Sequence, residues 1–197
     1  MKHKHEWMET LHLDNQLSLE DIPDLDLYMD QVIQLFEKKF ADQKRNENEK
    51  ILTKTMINNY AKGKLFFPIK NKKYSKEHLM LISMIYQMKG ALSINDVKLT
   101  LERLNTKITD ETFDLQQFYS SYLEIMNVNH TMFEKDLHEH MTEVETEVTK
   151  VNRDDEGYLE QVLLIATLTN MSNFYRKAAE KLVDEMTQKE QGDKNEA

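Results

Sequence analysis

Apolar positions recur at helical spacing along most of the chain. Leu25, Tyr28, Met29, Val32, Ile33, Leu35, Phe36 and Phe40 form one stripe, which predicts a helix over 25–40. Ahead of it, Ser18-Leu19-Glu20-Asp21 has capping-box spacing, interrupted by Pro23. The polar run ADQKRNENEK (41–50) reads as an exposed loop. A short helix is expected from a Thr53 cap to Lys62, stopped at Gly63. In GKLFFPIKNKKYS (63–75), Pro68 bars a helix and IKNKKY alternates like a small hairpin. Ser75 caps a helix over 76–89 that turns Leu79, Leu81, Ile82, Ile85 and Met88 inward, and Gly90 ends it. Ser93 with Asp96 starts another over 94–104.

Thr109-Asp110-Glu111 is expected to open a long amphipathic helix reaching Val151, with Asn127 to Asn129 as its weakest place. Asn152 to Gly157 reads as a turn. The last helix, Tyr158 to Met186, is apolar nearly all round between Leu159 and Leu168, the pattern of a segment buried between other helices. The ends are less patterned. Residues 1–17 read as an arm in which Trp7, Leu11 and Leu13 can dock on the body, and 188–197 as a disordered polar tail.

Composition narrows the class. In 197 residues there are 4 Gly and 2 Pro, too few for the tight turns of a sheet-rich fold. A mainly α protein follows. The absence of cysteine excludes disulfides and thiolate metal sites and fits a reducing cytosol. No apolar run approaches the ~20 residues of a membrane span, and the charged start lacks the apolar middle of a secretory signal. A cytoplasmic protein without a membrane partner is expected.

Charge changes the picture more. The net charge is −9, yet Ile51 to Lys76 holds seven lysines and no carboxylate. From Leu101 onward, 10 basic residues stand against 21 acidic ones. Phosphate polymers attract a basic segment of this kind, because each neutralised phosphate releases condensed counterions. The competing reading is a lysine face that balances acidic neighbours, either an acidic partner or the protein's own acidic half.

Residues 53–74 have the layout of a helix-turn-helix recognition element: a short capped helix, a glycine, an apolar triplet and a lysine-rich wing. Ile57 and Tyr60 anchor the helix, leaving Lys54, Thr55, Asn58, Asn59 and Lys62 outward. An asparagine amide pairs bidentately with adenine, whereas lysine and threonine grip phosphates. Thr55, Asn58 and Asn59 are the candidate groove readers, and Lys54, Lys62, Lys70, Lys72 and Lys73 the phosphate contacts. Tyr74 closes the wing against the helix.

These segments resemble a known domain. TMINNY (55–60), KGKLFFP (62–68) and KKYSKEHL (72–79) resemble the winged helix-turn-helix DNA-binding domain of the MerR family, and GALSINDVK (90–98) resembles a helix start of that family. Asn58 and Asn59 stand where MerR proteins carry Arg and Tyr, and Gly63 lies one place early. LYMDQV (27–32), LTKTMINNY (52–60) and KKYSKEHL resemble more closely still the bacterial domain of unknown function 1836 family. The resemblance implies a MerR-like DNA-binding domain that regulates transcription.

Catalysis finds little support. No Gly-rich phosphate loop, nucleophile elbow or HExxH motif occurs. Glu134 with His138 and Asp136 with His140 are spaced i, i+4, as metal ligands and ordinary surface pairs both are. Phe113, Phe118, Tyr119, Tyr122 and Phe133 read as core. The expectation is therefore a non-enzymatic protein without cofactor or metal, mainly α. A MerR-like winged helix-turn-helix with a small β-hairpin wing occupies 18–105, and an acidic helical bundle for dimerisation or regulation occupies 106–187. Its function would be sequence-specific double-stranded DNA binding as a homodimeric repressor, any small-molecule effector being unknown. The alternative is a protein-interaction module whose basic segment docks an acidic partner.

Overall fold

The computed structural model describes Met8, residues 10–151 and residues 155–195, with side chains through Gln188. In chain order the elements are strand β1 (Leu27–Tyr28), helix α1 (Met29–Lys39), a 3-10 turn (Ala41–Gln43) and α2 (Lys54–Lys62). Strand β2 (Lys73–Tyr74) follows, then α3 (Lys76–Met88), α4 (Ile94–Thr109), α5 (Leu115–Val148) and α6 (Glu156–Asn195). The protein is mainly helical with one small antiparallel sheet, in which Leu27 faces Tyr74 and Tyr28 faces Lys73.

Helix α3 is the centre of the fold. Every residue from His78 to Ile85 is buried, because other elements pack around it on all sides. They bring Val32 and Phe36 from α1, Ile57 and Tyr60 from α2, Val97 and Leu101 from α4, and Leu115 and Tyr119 from α5. Leu17 and Ile22 complete the cluster, and the Tyr119 hydroxyl donates to the Leu17 carbonyl at 2.7 Å. A second, smaller cluster joins Leu137, Met141, Val144 and Val148 of α5 to Leu164 of α6.

Several expectations from the sequence give way here. Tyr28 is extended and caps α1, which begins at Met29 rather than Leu25. Leu25 and Tyr28 are therefore exposed instead of lining the stripe. The Ser18–Asp21 box forms as read, with Ser18 N–H to Asp21 at 2.9 Å and Asp21 N–H to Ser18 at 3.3 Å, but it closes a turn and no helix follows. Helix α4 continues to Thr109, whose hydroxyl donates back to the Thr106 carbonyl at 2.8 Å. The cap of the long helix is instead Asp114, accepting from Gln117 N–H at 3.0 Å. Helix α5 runs unbroken through Asn127 to Asn129, and Asn127 accepts from the Gln16 side chain at 2.7 Å.

The last helix differs most. All-round burial belongs to α3, whereas on α6 Val162, Leu163 and Ile165 are exposed. Phe118 is also exposed rather than core, although Tyr119 is fully buried. Helix α6 continues through Asn195, so residues 188–195 extend a helix instead of forming a tail. In the arm, Leu11 is half-buried and Leu13 exposed, while Trp7 and residues 152–154 of the expected turn lie outside the described residues. Among the described residues no helix is long and apolar enough to cross a membrane.

Candidate nucleic-acid interface

Helix α2 is bounded as its sequence predicts. The Thr53 hydroxyl accepts from Met56 N–H at 3.1 Å, satisfying one of the orphan amides of the first turn. Ile57 and Tyr60 are buried, and Lys54, Thr55, Asn58, Asn59 and Lys62 are all exposed. The helix ends in paired bonds, Leu65 N–H to the Tyr60 carbonyl at 3.0 Å and Lys64 N–H to Ala61 at 3.1 Å. This closure needs a left-handed residue, usually glycine. Lys64 fills that place with φ 57°. Gly63 sits in a crowded place: a Cβ there would lie 2.7 Å from Leu65 Cδ1 and 3.1 Å from the Asn59 carbonyl.

The segment after α2 is tied down at both ends. The Asn105 side-chain amide on α4 donates to the Leu65 carbonyl at 3.0 Å. At the far end His78, the third residue of α3, joins two backbone groups. Its Nδ1 accepts from Ser75 N–H at 3.1 Å, and its Nε2 lies 3.1 Å from the Phe67 carbonyl and donates to it. The ring packs among Phe66, Phe67 and Tyr74, with centroids 5.6, 4.0 and 5.9 Å away. Burial lowers the His78 pKa below its ordinary value, against smaller opposing effects from the Phe67 carbonyl, Glu77 and Asp26. The imidazole is held neutral, since an amide aims at Nδ1.

The expected hairpin wing is reduced to a single tight turn. Lys73 N–H donates to the Lys70 carbonyl at 2.9 Å, and Asn71 and Lys72 both have positive φ (53° and 61°). Two left-handed residues in succession are the signature of a primed hairpin turn. Pro68 on one side and the Ser75 cap on the other leave no room for two strands, so β2 finds its ladder on β1 instead. Lys70, Asn71 and Lys72 are exposed at the turn. Tyr74 is 1% exposed, with its ring edge-on to Phe66 at 6.1 Å. Its contribution is to hold the turn, not to touch a ligand. Behind the turn opens a groove of about 730 Å³, lined by Phe67, Pro68, Ile69 and Lys70 and by Phe113 and Leu115.

The corner at residues 28–30 brings α2 and the turn together. Asp30 on α1 pairs with Lys54 at the start of α2 (2.8 Å), and the Tyr28 ring lies 5.2 Å beneath the Lys73 ammonium in β2. The sequence reading placed Tyr28 in the apolar stripe and so missed its contact with Lys73. The polar–apolar alternation Asp24-Leu25-Asp26-Leu27 before Met29 was the available signal for extended backbone.

The fate of the lysines bears on the competing readings. Lys54 pairs with Asp30 and Lys76 with Asp24 (3.2 Å), both acids lying in the N-terminal part. Lys62, Lys64, Lys70 and Lys72 have no ion-pair partner among the described residues, and α5 and α6 contribute none to the whole segment. The Lys54 pair is two-thirds exposed on both sides and is worth no more than about 1 kcal/mol. The described residues hold no group of three or more His, Asp or Glu able to bind a metal. On α5, His130 lies 3.8 Å from Glu134 and His140 lies 3.2 Å from Glu143, as helix-surface pairs.

No curated protein and no solved structure matches the chain. A family model does match, over residues 17–122. That stretch begins at buried Leu17 and ends in the first turns of α5, so it covers the whole α3-centred core and leaves out most of α5 and all of α6. With more than half of its length matched, the chain belongs to the family described as Domain of unknown function (DUF1836).

Proposed function

We propose that this protein is a cytoplasmic, sequence-specific double-stranded DNA-binding regulator of transcription, acting as a repressor by occupying a promoter. In this reading 18–105 works as a MerR-like winged helix-turn-helix and the acidic helices beyond it face away from the duplex. Helix α2 enters the major groove, with Asn58, Asn59 and Thr55 toward base edges. Lys54, Lys62, Lys70, Lys72 and Lys73 contact phosphates on either side and set the register. The reading is carried by one observation: a short capped helix exposes two asparagines beside lysines that no acidic side chain of the C-terminal half pairs with among the described residues. Negative potential on α5 and α6 orients the lysine face toward the polymer.

The test is fluorescence anisotropy with a labelled duplex from upstream of the protein's own gene, beside a scrambled duplex, at several salt concentrations. Preference for the native duplex that persists at about 150 mM salt, with affinity falling steeply as salt rises, is the expected result. Asn58→Ala with Asn59→Ala should erase the preference and keep most of the salt-sensitive binding. Equal weak binding to both duplexes, or an unchanged preference in the double variant, would overturn the proposal.

A further inference from the structure

The two long helices carry apolar side chains that nothing among the described residues covers. On α5, Phe118, Ile125 and Met132 stand seven residues apart with Val128 between the last two, and they are 40–57% exposed. On α6, Tyr158, Val162 and Ile165 repeat at steps of four and three. Beyond the small Thr169 and Ser172 the stripe continues as Tyr175, Leu182 and Met186, and its six apolar members are 41–66% exposed. Steps of three and four are the spacing by which one helix packs lengthwise against another.

The charge pattern agrees with the stripes. Residues 161–175 contain no Asp, Glu, Lys or Arg, and 115–133 contains Glu124 as the one charged residue. At the chain's average of 31% charged residues, a solvated stretch the length of 161–175 would carry four or five. Depletion of charge at the centre and retention at the rim is the compositional mark of an interface. The acidic residues gather instead at 134–147, where α5 and α6 already cover each other.

We propose that a second copy of this chain covers these stripes, forming a two-fold dimer through α5 and α6. Charge selects that occupant. A nucleic acid, an anionic membrane or a strongly charged protein is recognised by complementary charge, and the stripes offer none. A neutral apolar face is complementary to itself, which is what a two-fold interface requires. Area supports the choice. Ten side chains roughly half exposed leave on the order of 900 Å² of apolar surface in water, against about 800 Å² given by each partner to a standard interface and about 300–600 Å² for the largest patch of a typical monomer. The dimer does not depend on the DNA reading. If both hold, it presents two copies of α2 to two half-sites.

The test is sedimentation equilibrium of the full chain without DNA, at about 150 mM salt and tens of micromolar protein. The expected mass is about 47 kDa, twice the 23.5 kDa of one chain. Ile125→Glu with Ile165→Glu should sediment as a single chain with unchanged helical circular dichroism, its dissociation constant raised at least 100-fold. Both side chains already face water in one copy, so the charges cost the monomer little. Tyr175→Ser with Leu182→Ser is the second, milder pair and should weaken association in the same direction. A monomeric wild type at these concentrations, a dimer unaffected by both pairs, or a larger assembly would each overturn the proposal. None of these results involves duplex binding, so the two proposals fail separately.

Discussion

Replacing His78 by Phe keeps a ring among Phe66, Phe67 and Tyr74 while deleting two hydrogen bonds. Ser75 N–H loses its acceptor and the Phe67 carbonyl loses its donor, both in a partly buried place. A polar group stranded in this way costs about 1–3 kcal/mol, so the two together should lower stability by about 2–6 kcal/mol. The effect has a pH signature. With its folded pKa lowered by burial, His78 stays neutral in the native chain at pH values where the unfolded chain already binds a proton. Its stabilising contribution is complete above the ordinary value near 6.5 and declines as pH falls below it. His78→Phe has no such component, so the gap between wild type and variant should narrow toward acid. Urea denaturation followed by circular dichroism at about pH 7.5 and pH 5.5 measures both quantities. A loss below about 1 kcal/mol, or an equal gap at the two pH values, would refute the assignment of His78 as the tie between Phe67 and Ser75.

Lys64→Gly should raise stability by about 1 kcal/mol in the same assay, since glycine adopts the left-handed closure of α2 without strain. Gly63→Ala, one residue earlier, should lower it, because the new methyl meets Leu65 at 2.7 Å; equal effects from the two changes would contradict the closure described. Tyr119→Phe should cost about 1 kcal/mol by removing the donor to the Leu17 carbonyl, read as a shift of the denaturation midpoint. Lys70→Ala with Lys72→Ala should reduce the slope of log affinity against log salt by about 1.8 and leave the ratio of native to scrambled duplex unchanged. A change in that ratio would place the turn at base edges instead of phosphates.

Local chemistry was legible at three helix caps and on the outer face of α2. Thr53, Ser93 and Ser75 start helices where they were expected to, and α2 exposes the five polar residues read as its outer face. What escaped were assignments that depend on distant partners. Tyr28 fits the apolar stripe of α1 by spacing, yet pairing between β1 and β2 draws it into extended backbone under Lys73. The start of α5 escaped for a local reason instead: Thr109 bonds back into α4, and Asp114 caps α5.

The apolar runs on α3 and α6 look alike in the sequence, and only the fold separates them. Helix α3 is reached by α1, α2, α4 and α5 and is buried around its circumference, while Val162, Leu163 and Ile165 on α6 remain in water. The reason is physical. Apolar spacing states that a face must be covered, but it carries no information about which element covers it, and caps and turns act over only a few residues. The sequence by itself determined the caps at Thr53, Ser75 and Ser93, the helical class and the segregation of lysines from acids. Tertiary packing alone decided that, among the described residues, no acid of α5 or α6 pairs with Lys62, Lys64, Lys70 or Lys72, and nothing covers two stripes of the long helices.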